Sequence, residues 1–532
     1  IPYENMFTGR TGTLYPVFVK ECIPNETHSL DMMFEAELPP MVSNFFGRVD
    51  LVFEAFFCPM SLLWQGWESF AMHPTANPVY PEGTNVALKP RYIPHIYSQY
   101  FSSNPFPRGS LGDFLGIKDY VPAAAIDSYP TWSVLPFLCY HRIWDDWYRN
   151  TLVQAPLFYP PRAGVSLTLA NAPFTSFVYD TEGHVNGFSS VSNSPSWILS
   201  TQFGDGTYVD NLRQRNWNLD YFTAATPQPQ AGGAASITFE VSGRANSEGD
   251  VSGAGTVSIA AIRQSNAIQK WMERNNLVGY DYADQIYAQY GCYPDNRLLR
   301  KPIYLGRYVE PVYNRSVFQS AQSSGESSNP FSSAGNGVAV KFGSSQSNGK
   351  GSLFNNFKST DHGFLMVMCS LRPHAYYSTG TNRMLHRRSI GDIAFPLLSG
   401  VGDQAIYQRE LIGDSAQGNQ VFGYIDQYAD YKTSIDEVHG LMVDGQALDA
   451  FVLQRSFDPR SSVTISSSFL QIPQNYLDQV KQVTSEIVPV DYWASCFFDY
   501  KKISPLPVYS VPTLGDLKNA HTEYVRRGGS RL

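Results

Sequence analysis

The sequence predicts a mainly β protein whose core is built from the two ends of the chain and interrupted by long insertions that carry helices. Three observations carry that reading. First, only 16% of the 532 residues are charged while 14% are aromatic, including 33 Tyr, 33 Phe and 9 Trp. The charged share sits below the roughly 25% of an average globular domain, so much of the surface must be buried, against itself or against copies of itself. Second, apolar residues alternate with period two near the start, shift to a helical period in the middle, and return to period two after about residue 363. Third, no repeat of 20–50 residues and no linker-like boundary divides the chain, which argues against solenoids, propellers and separate domains joined end to end. Length alone would allow two to four domains, or one core with insertions; the absence of a boundary favours the second.

Taken in order, the first sixty residues read as strands and turns. In Val49–Phe57, Leu51, Phe53, Ala55 and Phe57 fall on one face, while Asp50 and Glu54 share the other with Val52 and Phe56. The period then changes: Ser61 is placed to cap a helix over 61–72 through Leu63, Trp64, Trp67 and Phe70. Ser110-Leu111-Gly112-Asp113, with Gly116 after it, signals a second, short helix. The clearest helix is 134–149, with Pro136 in its first turn, an aromatic stripe of Phe137, Tyr140, Trp144, Trp147 and Tyr148, and a surface side of Arg142, Asp145, Asp146 and Arg149.

Residues 155–210 and 227–256 are rich in turn formers and read as surface loops. Helices are expected over 258–275 and 280–291, the second stopping at Gly291. The Ser/Gly/Asn-rich stretch 316–352 reads as a long, poorly packed loop. Strands are expected mainly from 10–60 and 360–500, the later ones at Phe364–Leu371, Gly440–Val443, Ala450–Leu453 and Ser468–Ile472.

Signals for catalysis or cofactors are thin. The chain has no GxSxG, HExxH or P-loop motif, and no dinucleotide fingerprint leading into a helix. His362 beside Asp361, and His141 near Asp145 and Asp146, are the only acid–base pairings to draw, and a histidine beside a carboxylate is commonplace. Asp180–Gly187 is oxygen-rich but lacks the remaining ligands of a calcium loop, so it reads as a hairpin turn. The six cysteines show no metal-ligand spacing and sit mostly in apolar contexts, which reads as reduced core thiols and no metal site. No run of about 18 apolar residues is present for a membrane helix, and Ile1-Pro2-Tyr3-Glu4-Asn5 does not resemble a signal peptide.

The basic end of the chain suggests a different chemistry. Arg526, Arg527 and Arg531 surround Gly528-Gly529, and Lys501 and Lys502 precede them, so phosphate binding and plain solvation both fit. Tyr500 or Tyr524 would be placed to stack on a base. Arg213, Arg215, Trp217 and Tyr221 could stack on nucleic acid too, although ordinary packing is the simpler reading.

Several segments in one order resemble a known family. Leu51-Val52-Phe53-Glu54-Ala55-Phe56-Phe57-Cys58-Pro59 runs into Leu62-Leu63-Trp64-Gln65-Gly66-Trp67. Then come Ser110 to Gly116, Leu135-Pro136-Phe137 through Trp144-Asp145-Asp146-Trp147-Tyr148-Arg149, and Asp220-Tyr221-Phe222-Thr223. Ile262-Arg263-Gln264 to Arg274, Asp295-Asn296-Arg297-Leu298, Asp361-His362-Gly363-Phe364 and Asn382-Arg383-Met384 follow. Together they resemble the major capsid proteins of microviruses, small icosahedral single-stranded DNA phages, most closely the gokushovirus branch.

The resemblance implies an antiparallel eight-stranded jelly roll of the viral capsid type, with helices and surface loops as insertions. It implies a structural protein without enzymatic activity or cofactor, assembled in the bacterial cytoplasm as about 60 copies of itself into a T=1 shell around circular single-stranded DNA. The implied partners are a small basic internal protein, DNA-pilot and scaffolding proteins, and a host receptor, with no membrane insertion. Within this chain, Lys501, Lys502, Arg526, Arg527 and Arg531 are the candidates for lumen-facing contacts to DNA phosphates. The rival reading is a β-sandwich carbohydrate-binding protein or glycosidase, whose exposed Trp and Tyr would stack on sugars.

Overall fold

A computed structural model of the chain describes residues 1–42, 45–63, 67, 95–97, 107–118, 131–155, 157, 178–179, 185–186, 209–229, 270, 301–319, 340–400, 402–482 and 489–505. Nine strands make two sheets: β1 (Pro2–Gly9), β2 (Tyr15–Cys22), β3 (Thr27–Glu37), β4 (Val49–Pro59), β5 (Ile303–Pro311), β6 (Tyr313–Gln319), β7 (Val340–Lys358), β8 (Gly363–Pro373) and β9 (Tyr492–Ile503). One sheet has the order β1-β9-β3-β7-β6 and the other β2-β8-β4-β5, and every neighbouring pair is antiparallel. The chain alternates between sheets as it runs: β1, β3, β6, β7 and β9 fall in the first, β2, β4, β5 and β8 in the second.

The two sheets differ in how they are covered, and their sequences show why. β9 buries Tyr492, Ala494, Cys496, Phe498 and Tyr500 and leaves the intervening residues more open, the pattern of a sheet with one face in water. β8 is buried at all eleven positions, and β4 at every position but its last. Leu51, Phe53, Ala55 and Phe57 of β4 face the other sheet with Leu365, Val367 and Cys369 of β8. On the far side Phe56, Cys58, Met366 and Met368 pack under the helix Leu135–Trp147 through Phe137, Leu138, Tyr140 and Trp144. A strand covered on both faces is apolar on both except where a buried charge finds a partner, as Asp50 and Glu54 do, which is why the alternation in Val49–Phe57 is incomplete.

Several expectations need correcting. The sandwich draws β5, β6 and β7 from residues 303–358, a region assigned to insertions, and the described parts of the Ser/Gly/Asn-rich stretch, 316–319 and 340–352, are β-ladder rather than loop. The small residues have a packing use: a Cβ on Gly349 would meet the Tyr308 hydroxyl at 2.7 Å, and one on Gly351 the Tyr308 ring at 2.3 Å. Gly440–Met442 and Asp449–Phe451 are 3-10 turns, Ser467–Leu470 is a helical turn, and Arg383–His386 is a 3-10 turn. Apolar runs that short do not separate strand from turn by pattern.

The charged side of the Leu135–Trp147 helix is not its surface: Arg149 bonds Asp145 at 2.8 Å and Arg142 bonds Asp146 at 2.6 Å, all four side chains largely buried. Trp147, counted in the stripe, is 41% exposed. The helix at Met60–Leu63 begins one residue early, so Ser61 is not its cap; its hydroxyl donates to Asp361 at 3.0 Å. Helix 61–72 beyond Leu63 and Trp67, the helices at 258–275 and 280–291 apart from Lys270, and nearly all of 155–210 and 230–256 lie outside the described residues. Val178–Tyr179 pairs antiparallel with Val185–Asn186, the hairpin expected around Asp180–Gly187.

Residues 209–229 tie the layers together. Arg213 N donates to Tyr140 Oη at 2.7 Å, Trp144 Nε1 donates to the Gln214 carbonyl at 2.9 Å, and Arg215 N donates to the Gly12 carbonyl at 2.7 Å. A third apolar cluster then forms a lobe from Tyr221, Phe222, Tyr377, Ile406, Leu411 and Phe422 around the ribbon Gln404–Tyr407/Val421–Ile425.

Candidate functional site

Lys501 and Lys502 sit at the end of β9, paired with Ser29 and His28 of β3. Strand alternation sends them to opposite faces. Lys501 lies outside, 62% exposed, with Nζ 2.9 Å from Asp31 Oδ2 and 3.6 Å from Asp499 Oδ2. Its pKa is raised, chiefly by the hydrogen bond to Asp31. Lys502 is held 2.5 Å from Glu26 Oε1, a fully buried carboxylate that also accepts from Ser504 Oγ at 2.7 Å and Ile23 N at 3.0 Å. Burial works to raise the Glu26 pKa, but these partners outweigh it and the net shift is downward.

Glu26, Cys22 and His28 bring their ligand atoms within 4.8 Å of one another, the one such trio among the described residues. Its donors are already engaged. Burial pushes the Cys22 thiol up to about 12, so it offers no thiolate, and Glu26 is neutralised by Lys502. His28 Nδ1 is 2.7 Å from Tyr500 Oη, and burial lowers its pKa. Without an ion, the trio's hydrogen bonds and ion pair close the end of the sandwich. The base-stacking role considered for Tyr500 is thereby overturned: its side chain is 2% exposed and its ring stacks on His28 at 5.9 Å. Arg526, Arg527, Arg531 and Tyr524 lie outside the described residues.

The candidate acid–base pairs come apart. His141 is buried, with Nε2 2.8 Å from the Val209 carbonyl and Nδ1 accepting from Arg213 Nε at 3.1 Å, and burial lowers its pKa well below normal. Asp361 accepts from Ser61 and from the His362 backbone. Arg213, Arg215, Trp217 and Tyr221 take the packing option: Arg213 lies 4.8 Å over Trp144, Arg215 bonds Glu54 at 2.7 Å, and Trp217 packs edge-on to Tyr476.

A cleft of about 710 Å³ opens over the third cluster. One wall is formed by Arg383, Met384, Leu385 and Arg387, the other by Tyr431, Ile435, Glu437 and Val438. Buried pairs frame it: Arg383 bonds Glu410 at 3.2 Å, Tyr221 Oη donates to Glu410 at 2.9 Å, and Arg387 bonds Asp430. The segments beside it hold apolar side chains in water, with Leu385, Ile390 and Leu397 71%, 77% and 92% exposed. Sequence reasoning missed this region. The only signal was apolar residues without either period between Arg383 and Gly400.

Among its described residues this antiparallel β-sandwich carries apolar segments left uncovered, the kind of surface at which other chains pack. Comparison with known proteins gives the family. The model of the family described as "Capsid protein (F protein)" matches residues 1–248 and 245–514, and the chain belongs to this phage capsid family. It is 23% identical to capsid protein VP1 of Chlamydia phage 1, over 94% of this chain and 92% of that one. It is 24% identical to capsid protein VP1 of Bdellovibrio phage phiMH2K, over 95% and 93%, and 21% identical to that of Spiroplasma virus 4, over 97% and 94%.

Proposed function

We propose that this chain is the major capsid protein of a small single-stranded DNA phage, about 60 copies closing a T=1 shell around a circular genome, with the outer surface serving host attachment. The observation that carries the reading is the path of the chain between the sheets. Strands visited in the order first, second, first, second, second, first, second, first sheet, with the β6–β7 hairpin counted once, support an eight-stranded jelly roll of the viral type. The capsid family membership and the uncovered apolar segments support the same conclusion, and neither favours the carbohydrate-binding or glycosidase reading. The protein is then a component of the virion, assembled in the host cytoplasm, and its role is structural. No helix among the described residues is long and apolar enough to cross a membrane.

Purified full-length chain viewed in negative stain is expected to give closed particles of one diameter; a monomer or small oligomer under every assembly condition would refute the reading. We assign segments 155–210 and 227–256 to the outer face, one of them near a threefold axis. Deleting 240–252 is expected to spare shells and alter host attachment, and loss of assembly would defeat that assignment.

For the genome, a chain of net charge −8 needs local cations or a basic partner. We assign Lys501, Arg526, Arg527 and Arg531 to the lumen, Lys501 reaching phosphate by exchanging Asp31, whereas Lys502, turned to the opposite face, anchors the strand end through Glu26. A small basic internal protein, with pilot and scaffolding proteins, would supply the rest. Replacing the three arginines with Ala is expected to leave empty shells unchanged and lower packaged DNA; failure to form empty shells would place the arginines in an interface instead.

A further inference from the structure

The two segments that flank the cleft are ordered but composed unlike a surface meant for water. Residues 382–400 run as three 3-10 turns, Arg383–His386, Ile390–Asp392 and Pro396–Gly400. They are fixed locally: Asn382 Oδ1 accepts from Met384 N at 3.1 Å, and Asp392 Oδ2 accepts from Ser389 N at 2.8 Å. Yet Leu385, Ile390 and Leu397 point outward. Across the cleft, 433–449 is pinned by Tyr377 N donating to the Asp436 carbonyl at 2.8 Å and Asp444 N donating to Gln454 Oε1 at 3.0 Å, and it exposes Leu441 and Leu448. The described residues fix these apolar side chains in place without covering them, a surface suited to a covering partner.

Charge identifies what does. Residues 382–400 carry Arg383, Arg387 and Arg388 against the single Asp392, whereas 433–449 carry Asp436, Glu437, Asp444 and Asp449 with no Lys or Arg. A face that carries a basic strip and an acidic strip beside the cleft, each with exposed apolar side chains, is complementary to itself. A two-fold axis through it lays the basic strip of each copy on the acidic strip of the other, twice over, and buries both apolar sets together. The strips supply more chain than the about 20–30 residues a side that a standard interface uses.

We propose that this cleft face is a two-fold contact between copies of this chain, with Arg388 of one copy set against Asp436 and Glu437 of the other. Arg383 and Arg387 keep their own carboxylates, Glu410 and Asp430, and hold the basic strip in shape. The inference rests on the capsid reading, which supplies the copies and the two-fold axes; it adds which surface they use.

Two full-length variants test it, Arg388→Glu and the double variant Asp436→Lys/Glu437→Lys. Alone, each repels itself at both ends of the contact, and the yield of shells is expected to fall by at least about tenfold. Mixed in equal amounts, the two kinds of chain attract each other at both ends, and the yield is expected to return to within about twofold of wild type. Leu397→Asp should lower the yield similarly while leaving the melting temperature of unassembled chain unchanged. Variants that assemble as wild type overturn the proposal, as does a folded pair that mixing fails to rescue. Wild-type chains that dimerise with this charge dependence but never close a shell would sink the capsid reading and keep the contact. Wild-type shells indifferent to the reversals would do the opposite.

Discussion

Glu54 offers the sharpest test of how the sandwich is held to its helical layer. It lies mid-strand in β4 on the face turned away from the other sheet, where an apolar residue would otherwise stand. Arg215 Nη1 donates to its Oε2 at 2.7 Å and Nη2 to its Oε1 at 3.3 Å, while Tyr148 Oη donates to Oε2 at 2.5 Å. Arg215 in turn lies 5.1 Å over the Tyr148 ring and donates to Ser370 Oγ at 3.1 Å. One carboxylate thus joins β4, β8, the segment 209–229 and the end of the helix. Burial works to raise its pKa, but the Arg215 charge and these hydrogen bonds win, and the net shift is downward.

Glu54→Gln keeps the shape and leaves the Arg215 charge buried without compensation, which costs about 3–5 kcal/mol when one partner of a buried pair is removed. Over 532 residues, an unfolding entropy of about 2.1 cal/mol/K per residue makes about 1.1 kcal/mol/K, so the melting temperature is expected to fall by about 3–4.5 °C. Calorimetry on unassembled chain reads this directly. The double variant Glu54→Leu/Arg215→Met removes both charges and should recover most of the loss. A single variant that melts within about 1 °C of wild type, or a double variant worse than the single one, would refute the account.

Asp50, fully buried, receives Arg48 at 2.9 Å, His374 at 3.0 Å and Arg372 at 3.1 Å. Burial favours the acid, but these hydrogen bonds outweigh it and hold the carboxyl well below the usual range. A lowered folded-state pKa gives stability that is present above the unfolded value of about 3.9 and is lost as pH falls through the folded one. Asp50→Asn should therefore melt below wild type from pH 5 to 7, with the gap narrowing under about pH 4; a gap independent of pH would refute this. Lys481 is buried against Asp491, which also accepts from Thr11 N and Oγ1, each at 2.6 Å. Lys481→Met leaves that carboxylate without its cation and should cost about 3–5 kcal/mol by denaturant titration, while a cost under about 1 kcal/mol would count against a buried ion pair. At Gly306 a Cβ would lie 1.9 Å from the Leu353 carbonyl oxygen, so Gly306→Ala should destabilise by about 1–3 kcal/mol or more. A change there as small as one at Gly109, where a Cβ meets nothing within 4 Å although φ is +80°, would show that β5 and β7 are not in such close contact.

What the residues alone disclosed follows from short-range physics. Val49–Phe57 announced a strand buried in part on its second face, and Pro136 with its aromatic stripe announced the helix now seen at Leu135–Trp147, because period and capping act within a few residues. The capsid family was legible for another reason: the order of its motifs survives at 21–24% identity. Position in the tertiary structure settled what pattern could not. The Ser- and Gly-rich residues after 340 became β7 because β3 and β6 offer ladder partners on either side and Tyr308 fills the space their missing side chains leave. Asp145, Asp146, Glu54 and Asp50 look like surface charges in the sequence and are ion pairs in the interior, since the arginines that neutralise Glu54 and Asp50 arrive from residues 215 and 372. Tyr500, Lys501 and Lys502 are consecutive, yet one is core, one is surface and one anchors Glu26. The sequence by itself determined the strands at Val49–Phe57 and Phe364–Leu371, the helix and the family, which depend on neighbours along the chain; the tertiary structure decided the strands after residue 303, the burial of Glu54 and Asp50 and which described apolar segments stay uncovered, because these depend on partners far along the chain.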